Sequence, residues 1–170
     1  SSYGDLKDRI REKYLRTGID PELHPCFFDN LESLPKVMAA QRDRVQELKD
    51  ADPPVTKLPQ LCVIIDDMLH ETAHSKVLDN LSARGRHFGV NVFAGSQLYK
   101  GLSAACRKNA DILTIHRLPT MEYLAVEEEL AGTWVTKQQL REIYEMAVGA
   151  HPYGFLTVRL KSKDPRKMFY

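Results

Sequence analysis

Cysteine, net charge and long apolar runs are all scarce in this sequence. Among 170 residues there are three cysteines, Cys26, Cys62 and Cys106. An odd number at wide spacing argues against a disulfide framework or a zinc knuckle, and it suits a reducing, intracellular compartment. Cys62 and Cys106 stand among apolar or small neighbours, which predicts buried thiols. No apolar run approaches the roughly 20 residues of a membrane span. No signal peptide is visible, so no membrane partner is expected. The formal net charge is +1, so whole-chain electrostatics names no partner. Neither a G-x-x-x-x-G-K-[ST] loop nor any Gly-Lys pair occurs, so the usual backbone cradle for nucleotide phosphates is missing from these residues.

What is present is an ordinary globular composition, 43% hydrophobic and 28% charged, long enough for one domain with a proper core. Charge is unevenly placed. No acidic residue falls between Asp79 and Asp111, whereas Arg84, Arg86, Lys100, Arg107 and Lys108 do. The tail adds Arg159, Lys161, Lys163, Arg166 and Lys167 against Asp164 alone, and Glu122, Glu127, Glu128 and Glu129 form an acidic counterweight. Such clusters are ordinarily solvated faces. A chain that opens on Ser1 rather than Met is expected to be a fragment, a processed product or the ordered part of something longer.

Local patterns divide the chain at about residue 60. Residues 5–16 read as a short charged helix with Asp5 as cap, ended by Gly18 and Pro21. Pro25 to Asp29 reads as a short strand. Residues 34–49 read as a helix, with Ser33 as cap, Pro35 in the first turn and Leu34, Val37, Met38, Val45 and Leu48 at helical spacing. Residues 50–60, with Pro53, Pro54 and Pro59, form a loop, so residues 1–60 are a helical segment and linker. No internal repeat appears.

Residues 61–170 change character. The runs Leu61–Ile65, Gly89–Gly95 and Ile112–Ile115 are short, apolar and β-branched. Helical segments at about 73–86, 98–108, 120–131 and 137–148 separate and follow them. Strands alternating with helices, and runs apolar throughout, predict an α/β domain whose mostly parallel sheet is covered on both faces. Thr136 and Gln139 form a capping box ahead of the last helix, and Gly149 closes it. Tyr153–Leu160 and Lys167–Tyr170 read as closing strands, a hairpin around Asp164-Pro165.

The sharpest chemical signal is Val63-Ile-Ile-Asp66-Asp67, which has the form of a Walker B segment. A buried parallel strand aims its C-terminal end at the ligand crevice of an α/β sheet. A carboxylate there can hold Mg²⁺ through water, and a second can orient an attacking water. About thirty residues on, Val92-Phe-Ala-Gly-Ser96-Gln97 is a strand ending in a polar amide, where P-loop motors keep a sensor. Ser96 and Gln97 could equally cap a following helix.

Together with Arg84-Gly-Arg-His-Phe88, Gly95-Ser-Gln-Leu-Tyr99 and Cys106-Arg-Lys-Asn-Ala-Asp111, this string resembles the DNA-packaging ATPases of large double-stranded DNA viruses, within the FtsK–HerA class of ring-forming P-loop translocases. Gly154-Phe-Leu-Thr-Val158 and Lys167-Met-Phe-Tyr170 resemble the end of that domain, so the likeness runs from about residue 27 to the C-terminus. The resemblance implies the Walker B and sensor part of a RecA-like P-loop core. It makes Asp66 the Mg²⁺-associated carboxylate, Asp67 the water-activating one and Gln97 the sensor. The class often carries Glu where Asp67 stands. The implied cofactors are ATP and Mg²⁺. The implied partners are double-stranded DNA, further copies in a ring, and capsid or portal proteins, at a viral assembly site or in the virion. The phosphate-binding loop of the family lies upstream of the matched part, so the 170 residues alone are expected to be inactive. Ring motors complete each site with an arginine from a neighbour, and Arg86, Arg107 and Arg117 are the candidates. Lys100 and Lys108 are the preferred DNA-phosphate contacts, because lysine suits a point-charge role.

Three other patterns compete. His70-Glu71-Thr-Ala-His74 matches H-E-x-x-H, the zinc-hydrolase pattern, but no third ligand follows at short spacing, since His87 is too distant. Asp66, Asp67 and Asp111 could share two metals in a nuclease, although Asp111 starts its strand and so belongs to the opposite edge. A non-hydrolysing assembly subunit of the same fold is the remaining alternative.

Overall fold

The computed structural model describes residues 3–18, 20, 26–51, 57–67, 75–132 and 135–170. The chain divides into two compact units, Ser1–Leu34 and Pro35–Tyr170. The smaller holds helix α1 (Tyr3–Arg16), with Asp5 in its first turn and Lys13 and Arg16 in its last, the order that complements a helix dipole. Arg16 reaches back one turn to Glu12 at 2.5 Å. Gly18 takes φ +74°, the left-handed stop that glycine makes without strain. The strand expected around Phe27 does not form: residues 26–28 are irregular, with no partner strand among the described residues to satisfy their backbone groups. Pro25 lies outside the described residues.

Helix α2 (Leu34–Asp50) leads into the larger unit, which is mixed α/β. Strand β1 (Leu61–Ile65), helix α3 (Lys76–Arg84) and strand β2 (Val90–Ala94) follow. The strands pair in parallel, from Leu61 opposite Val90 to Ile65 opposite Ala94. Ser75 caps α3 by accepting the Leu78 N–H at 3.2 Å, and Leu78 and Leu81 bury its inner face. A 3₁₀ turn over Gly85–Phe88 ends on Gly89 at φ +67°. A side chain on Gly89 would meet the Pro59 carbonyl and the Gln60 amide at 2.9 Å each, so only glycine fits where β2 starts beside β1. Gln41 of α2 joins the starts of both strands. Its side-chain amide donates to the Pro59 carbonyl at 3.0 Å and the Phe88 carbonyl at 2.9 Å.

The segment expected as one helix over 98–108 is a 3₁₀ turn, Tyr99–Gly101, and then helix α4 (Ala104–Asn109), capped by Ser103. Strand β3 (Ile112–His116), helices α5 (Thr120–Leu130) and α6 (Lys137–Gly149) and strand β4 (Phe155–Arg159) complete the unit. The capping box of Thr136 and Gln139 is present as expected. β3 and β4 pair antiparallel, from Ile112 opposite Arg159 to His116 opposite Phe155. Residues 168–170 run back along β4, with Thr157 and Tyr170 exchanging backbone hydrogen bonds at 3.0 Å, but the expected closing strand is only a bridge from Phe169 to Val158, and Lys167 lies in a 3₁₀ turn, Pro165–Lys167.

Three expectations need correction. The described strands form one parallel pair and one antiparallel pair rather than one mostly parallel sheet. The reason is the connection: two helices between β3 and β4 return the chain to the end it left, whereas the passage from β1 to β2 through α3 is a crossover. Nor are the apolar strands covered on both faces. β1 alternates, and Ile64 and Phe93, neighbours across the pair, are 72% and 63% exposed. Cys62 shares that open face and is exposed, so of the two thiols expected inside only Cys106 is buried. The main core lies under the other sheet, where Ile115, Leu156 and Val158 meet Tyr123, Val126, Leu140, Tyr144 and Val148.

Candidate functional site

Parallel pairing places the ends of β1 and β2 side by side, and Gly95 extends the ladder by one step, donating to the Ile65 carbonyl at 2.8 Å. Asp66 and Asp67 leave one strand there, and Ser96 and Gln97 leave the other. The five residues Asp66, Asp67, Gly95, Ser96 and Gln97 line an open cleft of about 370 Å³. The Gln97 side-chain amide donates to Asp67 Oδ1 at 2.9 Å. The Asp66 carboxylate lies over Gly95, where a Cβ would stand 3.0 Å from its Oδ1. Asp67 adopts φ +54°, and among the described residues it alone other than glycine has a positive φ. Aspartate tolerates this left-handed backbone better than most residues, yet it costs free energy, and such strain collects where a side chain must be aimed. Ser96 accepts the Leu98 N–H at 3.3 Å and donates to the Leu98 carbonyl at 2.7 Å, so it closes a local turn. The serine thus shapes the turn, and the glutamine reaches across the cleft.

The arginines differ. Arg86 is exposed and forms no ion pair among the described residues. Arg117 is exposed and donates to the Val148 carbonyl in the last turn of α6 at 3.0 Å. Arg107 is buried, with 8% of its surface exposed. It grips Glu129 through Nε at 3.0 Å and Nη2 at 2.8 Å, donates to the Leu102 carbonyl, and lies 4.8 Å from the centre of the Tyr99 ring. Burial opposes its charge, but hydrogen bonding and attraction from Glu129 prevail and hold the guanidinium above its usual pKa. In this arrangement Arg107 is committed within its own chain. The same burial pushes Tyr99 up to about 12, with the Glu129 carboxylate adding to it.

Three of the four carboxylates of the acidic counterweight are engaged within the fold, whereas Glu128 is exposed. Glu122 accepts the Tyr99 N–H at 2.8 Å, Glu127 is buried against Arg141 at 2.8 Å, and Glu129 holds Arg107. Sequence reasoning missed Glu122, which ties the segment after Gln97 to α5; no local pattern marks a carboxylate that caps a turn more than twenty positions away. Lys100 and Lys108 are both exposed and unpaired among the described residues. Asp111 pairs with Lys161 at 2.5 Å beside the other sheet, so it does not join Asp66 and Asp67. No group of three metal-ligating side chains occurs among the described residues, which removes the shared two-metal arrangement there. His70, Glu71 and His74 lie outside the described residues.

No helix among the described residues is long and apolar enough to cross a membrane. Compared with known proteins, the sequence matches no family model and no curated relative.

Proposed function

We propose that this chain is the Walker B and sensor half of an ATP-driven motor that moves double-stranded DNA, built on a RecA-like core and working as a ring of copies during capsid filling. The observation that carries the proposal is the Gln97–Asp67 hydrogen bond of 2.9 Å between the ends of two parallel strands. It puts an amide and two carboxylates at one sheet edge, where α/β proteins bind ligands. Hard oxygen donors with room for water suit Mg²⁺, which keeps much of its hydration, so Asp66 fits the role of holding the ion through water. Bound Mg²⁺–ATP would supply the phosphoryl group and the neutralised phosphate charge that hydrolysis needs. Asp67 then accepts a proton from the attacking water, and Gln97 holds the Asp67 carboxylate in place. Arg86 and Arg117 are the arginines whose exposure leaves them available to a neighbouring copy.

Two measurements test this. Calorimetry on the 170-residue chain should show only weak binding of Mg²⁺–ATP, because no phosphate loop is among these residues; sub-micromolar affinity contradicts the proposal. In a chain that also carries such a loop, Asp67→Asn should retain nucleotide and lower turnover by about two to four orders of magnitude. Unchanged turnover removes Asp67 from the base role. A chain with no turnover to lose, even with the loop, indicates a non-hydrolysing assembly subunit.

A further inference from the structure

The β3–β4 ribbon has one face on the core and one face open. Ile115, Leu156 and Val158 point inward, whereas Ile112, His116, Phe155 and Arg159 are exposed on the other side. Residues 168–170 add a third row, which places Tyr170 beside Thr157 on that open face. Phe155 and Tyr170 are 48% and 56% exposed. The His116 and Phe155 rings meet at 5.3 Å, tilted by 54°. The Arg159 guanidinium lies 4.9 Å from the centre of the Tyr170 ring. The exposed face therefore presents two flat stations, an aromatic pair and an arginine–tyrosine pair, where a soluble sheet ordinarily shows alternating polar side chains.

We infer that this face is a platform for single-stranded nucleic acid, distinct from the duplex track proposed above and independent of it. Phe155 and Thr157 are two residues apart on β4, and Tyr170 stands opposite Thr157. Two residues along an antiparallel strand advance about 6.8 Å, twice the roughly 3.4 Å between stacked bases in a duplex. Consecutive bases of a duplex cannot occupy both stations without leaving their own stack. An extended single strand can place one base on each, because every base has a flat face for an aromatic ring. Charge supports the same occupant. Beyond Arg159 the chain carries Lys163 and Lys167, both exposed and without a carboxylate partner among the described residues. Lys161 and Arg166 are also cationic, although Asp111 and Asp164 pair with them at 2.5 and 3.2 Å. A polyanion with exposed bases matches an arginine stacked on an aromatic ring and a cation-rich segment that follows it; an apolar protein partner would leave those cations uncompensated.

The test is fluorescence anisotropy of a labelled twelve-residue oligothymidylate, an oligouridylate and a duplex of equal length, with the 170-residue chain at low and moderate salt. Both single strands should bind more tightly than the duplex, and affinity should fall as salt rises. Phe155→Ala and Tyr170→Ala should each weaken the single strands about tenfold, with circular dichroism unchanged. Tyr170→Phe, which keeps the ring, should restore most of the loss. Met121→Ala, on an exposed position of α5, should change nothing. Equal affinity for duplex and single strand overturns the inference, as does binding that ignores both aromatic substitutions. Concentration-dependent dimerisation abolished by Phe155→Ala also overturns it, because a second copy would then occupy the face.

Discussion

Gln97 and Asp67 stand thirty positions apart in sequence, yet the glutamine amide donates to the aspartate Oδ1 at 2.9 Å. The contact exists because β1 and β2 run parallel in register and end together. Asp67 meets its partner with φ at +54°, so its identity matters to the backbone as well as to the bond. Asparagine tolerates the left-handed region and keeps the acceptor oxygen; valine does neither. Asp67→Asn should therefore leave unfolding stability within about 0.5 kcal/mol, whereas Asp67→Val should cost about 1–3 kcal/mol. Urea denaturation of the three chains checks this, and equal losses would show that the backbone there is unstrained.

Arg107 and Glu129 give a prediction that separates a fold role from a motor role. The arginine is 8% exposed and bonded on several sides. Removing one partner of a buried pair typically costs about 3–5 kcal/mol, since the other charge is left behind. Arg107→Ala should fall in that range by denaturant unfolding. A loss under about 0.5 kcal/mol would return Arg107 to the arginines that serve a neighbour.

Tyr99 predicts a pH effect. Burial first, and Glu129 second, push its phenol up to about 12 from an ordinary value of 10.0. Below pH 10 the phenol is neutral folded or unfolded, and its contribution is fully present. As pH rises through the interval from 10.0 to about 12, the unfolded chain ionises while the folded chain does not, so stability falls. Tyr99→Phe should lose less stability than the parent over that interval. Parallel unfolding curves of the two chains would contradict the shift.

Lys100 and Lys108 test the proposed contact with duplex DNA. In an assembled motor, replacing both with Ala should flatten the dependence of duplex affinity on salt and remove DNA-stimulated hydrolysis, while basal hydrolysis survives. Loss of basal hydrolysis with unchanged DNA binding would show that these lysines serve the nucleotide instead.

The boundaries of α6 are legible in the sequence because Thr136 and Gln139 satisfy the helix start by themselves. The same holds for β1, whose β-branched run stops at two carboxylates. The covering of β1 is not legible, because an unbroken apolar run looks alike whether one face or two are packed, and Ile64 shows that one is open. The antiparallel return of β4 is equally hidden, since strand direction is set by the two intervening helices and not by the strand's own residues. At the site, the separate segments Asp66-Asp67 and Ser96-Gln97 are readable as strand ends. Their hydrogen bond, the left-handed Asp67 and the internal commitment of Arg107 are tertiary facts that no local spacing encodes.

The segment Leu61–Ile65 is uncharged, free of proline and rich in β-branched residues, and among the described residues it has a neighbour along only one edge. These are the traits of a segment that templates intermolecular sheet growth. What interrupts it is Asp66-Asp67, two adjacent negative charges that cannot be stacked copy upon copy without repulsion. Charges at the end of such a run oppose self-assembly. Variants at Asp66 or Asp67 should lose soluble yield in proportion to the charge removed.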